Sequence, residues 1–171
     1  MHESSYLQMQ ILLPKYLDPT QTLRILDVGS YNLNGCYRPL VSSPYWHYTG
    51  MDIEAGPNVD VVSQDPYSWP LPANSYDVVI SGQCIEHVEA PWLWIKEIER
   101  VLKPGGTTIV IGPWSCGEHR HPVDCWRIFP DGMKYLLTKV ASLELLECAR
   151  NEKGIYDLGD TWGVAKKPVN T

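Results

Sequence analysis

The stretch Ile25-Leu26-Asp27-Val28-Gly29-Ser30-Tyr31-Asn32-Leu33-Asn34-Gly35 decides the fold, because it joins an apolar run to a turn by way of a carboxylate. Ile25, Leu26 and Val28 suit a central parallel strand buried on both faces. Gly29 permits a sharp departure, and Asn34-Gly35 tolerates positive φ, so the chain turns at the carboxyl end of that strand. An α/β protein builds a nucleotide-type cofactor site in this way. The closely spaced second glycine of a dinucleotide loop is missing, so the residues that follow must settle the assignment.

Around this stretch, short β-rich runs alternate with helical or loop segments, the pattern of a parallel sheet with crossovers. Strands are expected near Arg24–Val28, Tyr48–Ile53, Val59–Val62, Tyr76–Ser81, Thr107–Ile111, Leu143–Ala149 and Thr161–Lys166. The clearest helix is Pro91–Leu102, with Trp92, Ile95, Ile98, Val101 and Leu102 recurring on one face. Pro91 suits its first turn and Lys103-Pro104-Gly105-Gly106 stops it. Asp131 reads as the N-cap of a second helix running through Met133, Leu136, Leu137 and Val140. An amphipathic helix, Leu7–Leu17, lies within an N-terminal segment of residues 1–20. Gln64–Ser75 carries Pro66, Pro70 and Pro72, so at most one helical turn fits there.

The 171 residues fit a single domain, 1–171, whose site must be built from its own loops. A formal net charge of -6, with no basic run longer than Lys166-Lys167, argues against a nucleic-acid partner. No signal peptide or membrane span is read, so no membrane partner is expected. Cys36, Cys84, Cys116, Cys125 and Cys148 are odd in number and scattered, which points to reduced thiols in the cytoplasm. The spacing of Cys116, His119, His121 and Cys125 matches no common structural zinc site, so no metal is assigned. Seven Trp and ten Tyr stand against one Phe, and rings with polar edges suit a pocket wall as well as a core.

Three carboxylates fall at or just past the ends of successive strands: Asp27, Asp52 and Asp65. In an open parallel sheet ligands bind at that edge. Asp52 lies at about the spacing from the first loop at which a carboxylate accepts both hydroxyls of a ribose, offering two oxygens to two vicinal donors. Asp27 either joins the ligand or ties the turn to backbone N–H groups.

Five segments in order, Ile-Leu-Asp-Val-Gly-Ser, Tyr-Thr-Gly-Met-Asp-Ile, Leu-Pro-Ala-Asn-Ser-Tyr-Asp-Val-Val-Ile-Ser, Ile-Glu-His-Val and Val-Leu-Lys-Pro-Gly-Gly, span about residues 22–113. Together they resemble a class I S-adenosylmethionine-dependent methyltransferase, of the small-molecule group with the Leu-Lys-Pro-Gly-Gly signature. The resemblance implies a Rossmann-like α/β fold: a mostly parallel seven-stranded sheet, an antiparallel last strand and helices on both faces. It implies S-adenosylmethionine as cofactor and a small-molecule methyl acceptor as partner. By position, Asp27, Gly29 and Ser30 belong to the motif that holds the methionine portion. Asp52 is similar to the ribose-binding acid and Ile53 to the residue against adenine. Asp65 matches the acid that accepts the adenine amino group, with Pro66 and Tyr67 beside it, while Gly82 and Gln83 line the methyl region. Glu86-His87 matches a pair that orders the following helix.

Where the family reads Gly-x-Gly-x-Gly, this chain has Tyr31 and Leu33 at the second and third glycine positions. Tyr31 either lies along the cationic cofactor or packs on the sheet edge. Residues 113–130, dense in polar and aromatic groups, form the expected acceptor loop. His119 or His121 is the candidate base, with Asp124 orienting the imidazole. Arg127 is read as structural or as an acceptor-carboxylate clamp, and Trp126 as an acceptor-facing ring or a core plug. The expected function is transfer of a methyl group to O or N of a small metabolite, a sugar or glycan precursor among the candidates. A non-catalytic methyltransferase-like binding module and an NAD-dependent oxidoreductase are the alternatives. With no cap domain, the site is open or completed by a second copy in a homodimer.

Overall fold

A computed structural model describes residues 3–152 and 158–169. The strands are β1 (Leu23–Val28), β2 (Trp46–Asp52), β3 (Val61–Val62), β4 (Tyr76–Gly82), β5 (Leu102–Ser115), β6 (Glu144–Arg150) and β7 (Gly159–Lys166). They form one sheet in the order β3-β2-β1-β4-β5-β7-β6. The first five run parallel, and β7 inserts antiparallel between β5 and β6. The expected Rossmann-like sheet with its antiparallel end is therefore present. The order turns outward on either side of β1 and β4, which places a topological switch at the carboxyl ends of those two strands.

Successive residues of β1 feed opposite faces, as the strand period requires. Ile25 joins Val78, Ile80, Ile109 and Ile111 under helix α1 (Glu3–Tyr16), which buries Met9, Leu12 and Leu13. Leu26 and Val28 join Val79 and Val110 under helix α2 (Pro91–Val101), which buries Trp94, Ile95 and Ile98. Lys15 and Tyr16 at the end of α1 each reach the Glu147 carboxylate at 2.5 Å, fastening the helix to β6.

Several boundaries differ from expectation. Phe129, not Asp131, is the N-cap of α3 (Pro130–Tyr135), because Pro130 takes the first helical position, where a missing N–H costs nothing. A π turn over Leu136–Val140 continues it. β3 is two residues long, and β5 begins as α2 ends. Among the described residues no α-helix connects β1 to β2; a 3-10 turn at Arg38–Leu40 stands there instead. Nor does any helix form in Gln64–Ser75, as its prolines dictate. No helix among the described residues is long and apolar enough to cross a membrane.

Candidate active site

The carboxyl ends of β1, β2 and β4 open onto a cleft of about 620 Å³. Asp27 sits at its base, 2% exposed, between Gly50 of β2 and Ile80 of β4. The Tyr48 hydroxyl donates to its carboxylate at 2.5 Å. Burial nevertheless pushes the Asp27 carboxyl up to about 7, outweighing that bond. Gly29 follows at φ 79°, and a Cβ there would lie 2.6 Å from Cys84 Cβ and Sγ, so glycine is needed for both conformation and space.

The first loop is tied to the end of β2. The N–H groups of Gly29 and Ser30 donate to the Met51 carbonyl at 2.9 and 3.1 Å. Tyr31 N–H donates to Asp52 Oδ2 at 2.9 Å, and Ile53 N–H to Asp52 Oδ1 at 2.7 Å. Each Asp52 oxygen thus keeps one lone pair for a ligand. The Tyr31 ring packs on Gly56, where an added Cβ would come within 2.2 Å of it, and also lines the cleft. Gly35 supplies positive φ (133°), and its N–H caps on Asn32 Oδ1 at 2.8 Å.

The structure brings together Asp27, Gly29, Ser30, Tyr31, Asp52, Ile53, Pro66, Tyr67, Gly82, Gln83, His119 and His121 on this cleft. Asp65 is outside its lining; it is exposed, and its Oδ1 accepts Tyr67 N–H at 2.8 Å in an Asx turn. Ser63 and Gln64 line the wall at that level instead. Gln83, at φ 56°, directly follows β4; its Nε2 donates to Asp160 Oδ1 at 2.8 Å. Its Oε1 is buried and has no hydrogen-bond partner.

On the opposite wall, the 113–130 segment is zipped to the turn after β4. Cys125 and Trp126 N–H groups donate to the Glu86 carbonyl at 2.7 and 3.3 Å, and Trp126 Nε1 donates to the Val88 carbonyl at 2.8 Å. The backbone of Glu86 therefore orders the acceptor loop. Trp126 is half-buried against the core and meets Trp92 edge-on at 6.3 Å, the core role of the two expected. Asp124 is outside the lining: its side chain is 2% exposed and holds Arg127 through two bonds of 2.6 and 2.8 Å. The Arg127 guanidinium also donates to the carbonyls of Cys116, Gly117 and Trp126, which leaves none of its donors for an acceptor carboxylate. Arg127 is structural, and it holds the Asp124 carboxyl well below the usual carboxylate range. Asp124 does orient His119: it accepts the backbone N–H at 2.7 Å, and its Oδ2 stands 3.7 Å from the imidazole Nδ1, which is 3.0 Å from the Gly117 carbonyl.

Glu86 is fully buried, and neither carboxylate oxygen has a hydrogen-bond partner. Its Oε1 faces His87 Nε2 at 3.6 Å and His119 Nε2 at 3.8 Å. The Glu86 carboxylate, more than any other neighbour, raises the His119 pKa above its ordinary value. His121 stands at the exposed rim, its ring 6.0 Å from that of His87.

Residues 26–110 match the family described as the methyltransferase domain. A curated relative, 2-methyl-6-phytyl-1,4-hydroquinone methyltransferase 2 of Oryza sativa subsp. japonica, is 31% identical over 68% of this chain and 37% of its own length. The chain belongs to the class I S-adenosylmethionine-dependent methyltransferases. It spans 37% and 24% of the lengths of the first two curated relatives it matches. Among solved structures, a Burkholderia thailandensis 1,6-didemethyltoxoflavin-N1-methyltransferase with bound S-adenosylhomocysteine superposes at TM-score 0.75. It is 17% identical, over 97% of this chain and 79% of that one. The cyclase SpnF superposes at TM-score 0.73, 18% identical over 95% of this chain and 81% of its own, so the fold by itself does not dictate the reaction.

In this chain, sequence reading missed Asn58, which donates through Nδ2 to the Ser30 carbonyl and the Tyr48 hydroxyl, both at 2.8 Å. Its φ of 72°, in a loop beginning Gly56-Pro57, is the one local signal for it. Trp69 and Trp94, buried along the cleft, were legible only as part of the tryptophan excess.

Proposed function

We propose that this chain transfers a methyl group from S-adenosylmethionine to oxygen or nitrogen of a small metabolite, with a sugar or glycan precursor as the favoured acceptor class. The reading rests on one observation: the unpartnered Gln83 Oε1 and the Asp27 carboxylate line the same cleft as Asp52. An unpartnered amide oxygen and a carboxylate suit the cationic methionine end of the cofactor, and the Asp52 carboxylate suits its ribose. Tyr31, Ile53, Pro66 and Tyr67 supply apolar area for the adenine side. Polar and aromatic groups around the rim, among them Glu89, Arg120 and His121, suit a hydroxylated acceptor. The free cysteines support a cytoplasmic enzyme, and the open cleft supports either a monomer or a homodimer that covers it.

In the transfer, an acceptor lone pair forms the bond to the methyl carbon as the carbon–sulfur bond breaks and sulfur keeps the electron pair. The acceptor proton passes to a base. His119 Nε2 is turned toward Glu86, so His121 takes that role and His119 positions the wall. Alignment contributes as much as the base does, up to about 7–11 kcal/mol in favourable cases.

Transfer of labelled methyl across a panel of glycosides, sugar nucleotides, phenols and amines tests this reading. Product with hydroxylated acceptors is expected; binding of cofactor without turnover on any of them would favour a non-catalytic module. His121→Ala and His119→Ala are each expected to lower turnover, His121→Ala by about a hundredfold, the usual contribution of a general base. Cofactor affinity should stay within a factor of about two. Wild-type turnover in both would assign the loop to structure.

Asp27 predicts a pH dependence. Its folded pKa is raised to about 7, so its share of the stability is full below the ordinary carboxyl range and lost as pH rises through 7. A cationic ligand reverses the preference by favouring the ionised form. S-adenosylmethionine affinity should therefore rise from about pH 5.5 to about pH 8, with proton release on binding, and both effects should vanish in Asp27→Asn. A pH-independent wild-type affinity in calorimetry contradicts the assignment.

A further inference from the structure

Three metal-ligating groups, the buried Glu86 carboxylate and the His87 and His119 imidazoles, converge on one point. The carbonyls of Val123 and Gly117 can only accept, so His87 Nδ1, 2.6 Å from the first, and His119 Nδ1, 3.0 Å from the second, carry the hydrogens. Each ring thereby turns its Nε2 toward Glu86 Oε1, at 3.6 and 3.8 Å. Glu86 is 0% exposed, and both its oxygens lack partners. A buried carboxyl with unpartnered oxygens is a place where a bound cation is stabilising.

We propose that Glu86, His87 and His119 bind a divalent first-row transition-metal ion, zinc in the first instance, at the acceptor end of the cleft. The three ligand atoms lie within 4.8 Å of one another. Around tetrahedral zinc, with bonds of about 2.0–2.2 Å, donor atoms stand about 3.3–3.6 Å apart. Closing the Glu86 edges takes a few tenths of an ångström, and the spacing of the imidazoles, within 4.8 Å, adjusts by a pivot of His119. Its side chain is 31% exposed on a loop, whereas those of His87 and Glu86 are 13% and 0% exposed. Both imidazoles already have the outer shell of a metal site, Nδ1–H on a backbone carbonyl, which fixes the ring and leaves Nε2 to coordinate. Two imidazoles and one carboxylate form a three-ligand set with an open position, characteristic of a catalytic centre.

The ligands come from the turn after β4 and from the loop after β5, so no short spacing announces them. They also differ from the Cys116, His119, His121, Cys125 set excluded by its spacing. His87 and His119 both line the cleft. Resting on the methyl-transfer reading, the open position would receive the acceptor oxygen and lower the pKa of its proton, leaving His121 free to take it.

Zinc binding is measured on metal-stripped protein without cofactor or acceptor, by competition with a chromophoric chelator. One ion per chain is expected, and the melting temperature should rise with zinc. Glu86→Gln and His119→Ala should each weaken binding at least tenfold and abolish the thermal shift, whereas His47→Ala, on exposed β2, should change neither. Because Glu86→Gln keeps the buried volume and replaces a carboxyl whose oxygens have no hydrogen-bond partner, it should fold and melt no lower than metal-stripped wild type; a role for Glu86 in folding alone predicts a lower melting point and an unchanged zinc affinity. No stoichiometric binding, retention within threefold in Glu86→Gln and His119→Ala, or loss in Cys125→Ala instead would overturn the proposal. Cofactor titration is independent of this readout, so failure of the metal site and failure of the methyl-transfer reading are told apart.

Discussion

Asp52→Ala is expected to lower S-adenosylmethionine affinity by at least about a hundredfold on protein that still melts cooperatively. Each hydrogen bond to a charged acceptor contributes about 1.5–3 kcal/mol, and two ribose hydroxyls on one carboxylate lose both together. The same carboxylate also holds the first loop through Tyr31 N–H and Ile53 N–H, so part of the loss comes from a relaxed loop. Asp52→Asn separates the two effects. Both Asp52 oxygens accept a backbone N–H, so an amide must turn its NH₂ against one of those donors and breaks one tie while keeping the other. An intermediate affinity is expected from it. Calorimetry on folded Asp52→Ala that returns the wild-type constant removes Asp52 from the site.

Arg127→Ala carries the second large effect, on stability. It strands the Asp124 carboxylate, 2% exposed, with the His119 N–H as its remaining hydrogen-bond donor. Removing one partner of a buried pair costs about 3–5 kcal/mol. For a chain of this size that corresponds to a fall in melting temperature of about 6–20 °C. Removing both partners, in Asp124→Leu/Arg127→Met, should recover most of it, since the desolvation cost goes too. The pH profile has a definite sign. Asp124 is held below the ordinary carboxylate range, so its stabilisation is full above that range and lost as pH falls toward its folded pKa. The gap between wild type and Arg127→Ala should therefore narrow below about pH 4, where the stranded carboxyl takes up a proton. A melting point within about 2 °C of wild type at neutral pH would assign the loop's rigidity to other bonds.

What the sequence made legible follows from the range of the interactions involved. β1, β4 and α2 are long, strongly patterned and bounded by Gly29, Pro91 and the Lys103–Gly106 stop, so local periodicity sufficed for them. The start of α3 was misplaced because Asp131 is a good capping residue, yet Pro130 at the first helical position was the stronger signal. Asp52 was readable from its strand-end position. Asp65 has a similar position but spends its carboxylate on a local turn, a competition that short polar side chains often settle in favour of the backbone. The Asp124–Arg127 pair was open to two readings, and the count of Arg127 donors closed the choice. Glu86 was beyond local reading: the His119 imidazole that faces it beside His87 comes from a loop that returns to it only after β5. Of the expected 1–171 domain, residues 1–2, 153–157 and 170–171 lie outside the described residues.

Calorimetric titration of the wild-type protein with S-adenosylmethionine, S-adenosylhomocysteine and NAD tests the central claim most directly. Saturable one-to-one binding of the first two, with none of NAD, is the expected result. Binding of NAD alone, or no binding of either sulfur nucleoside to folded protein, would contradict the account.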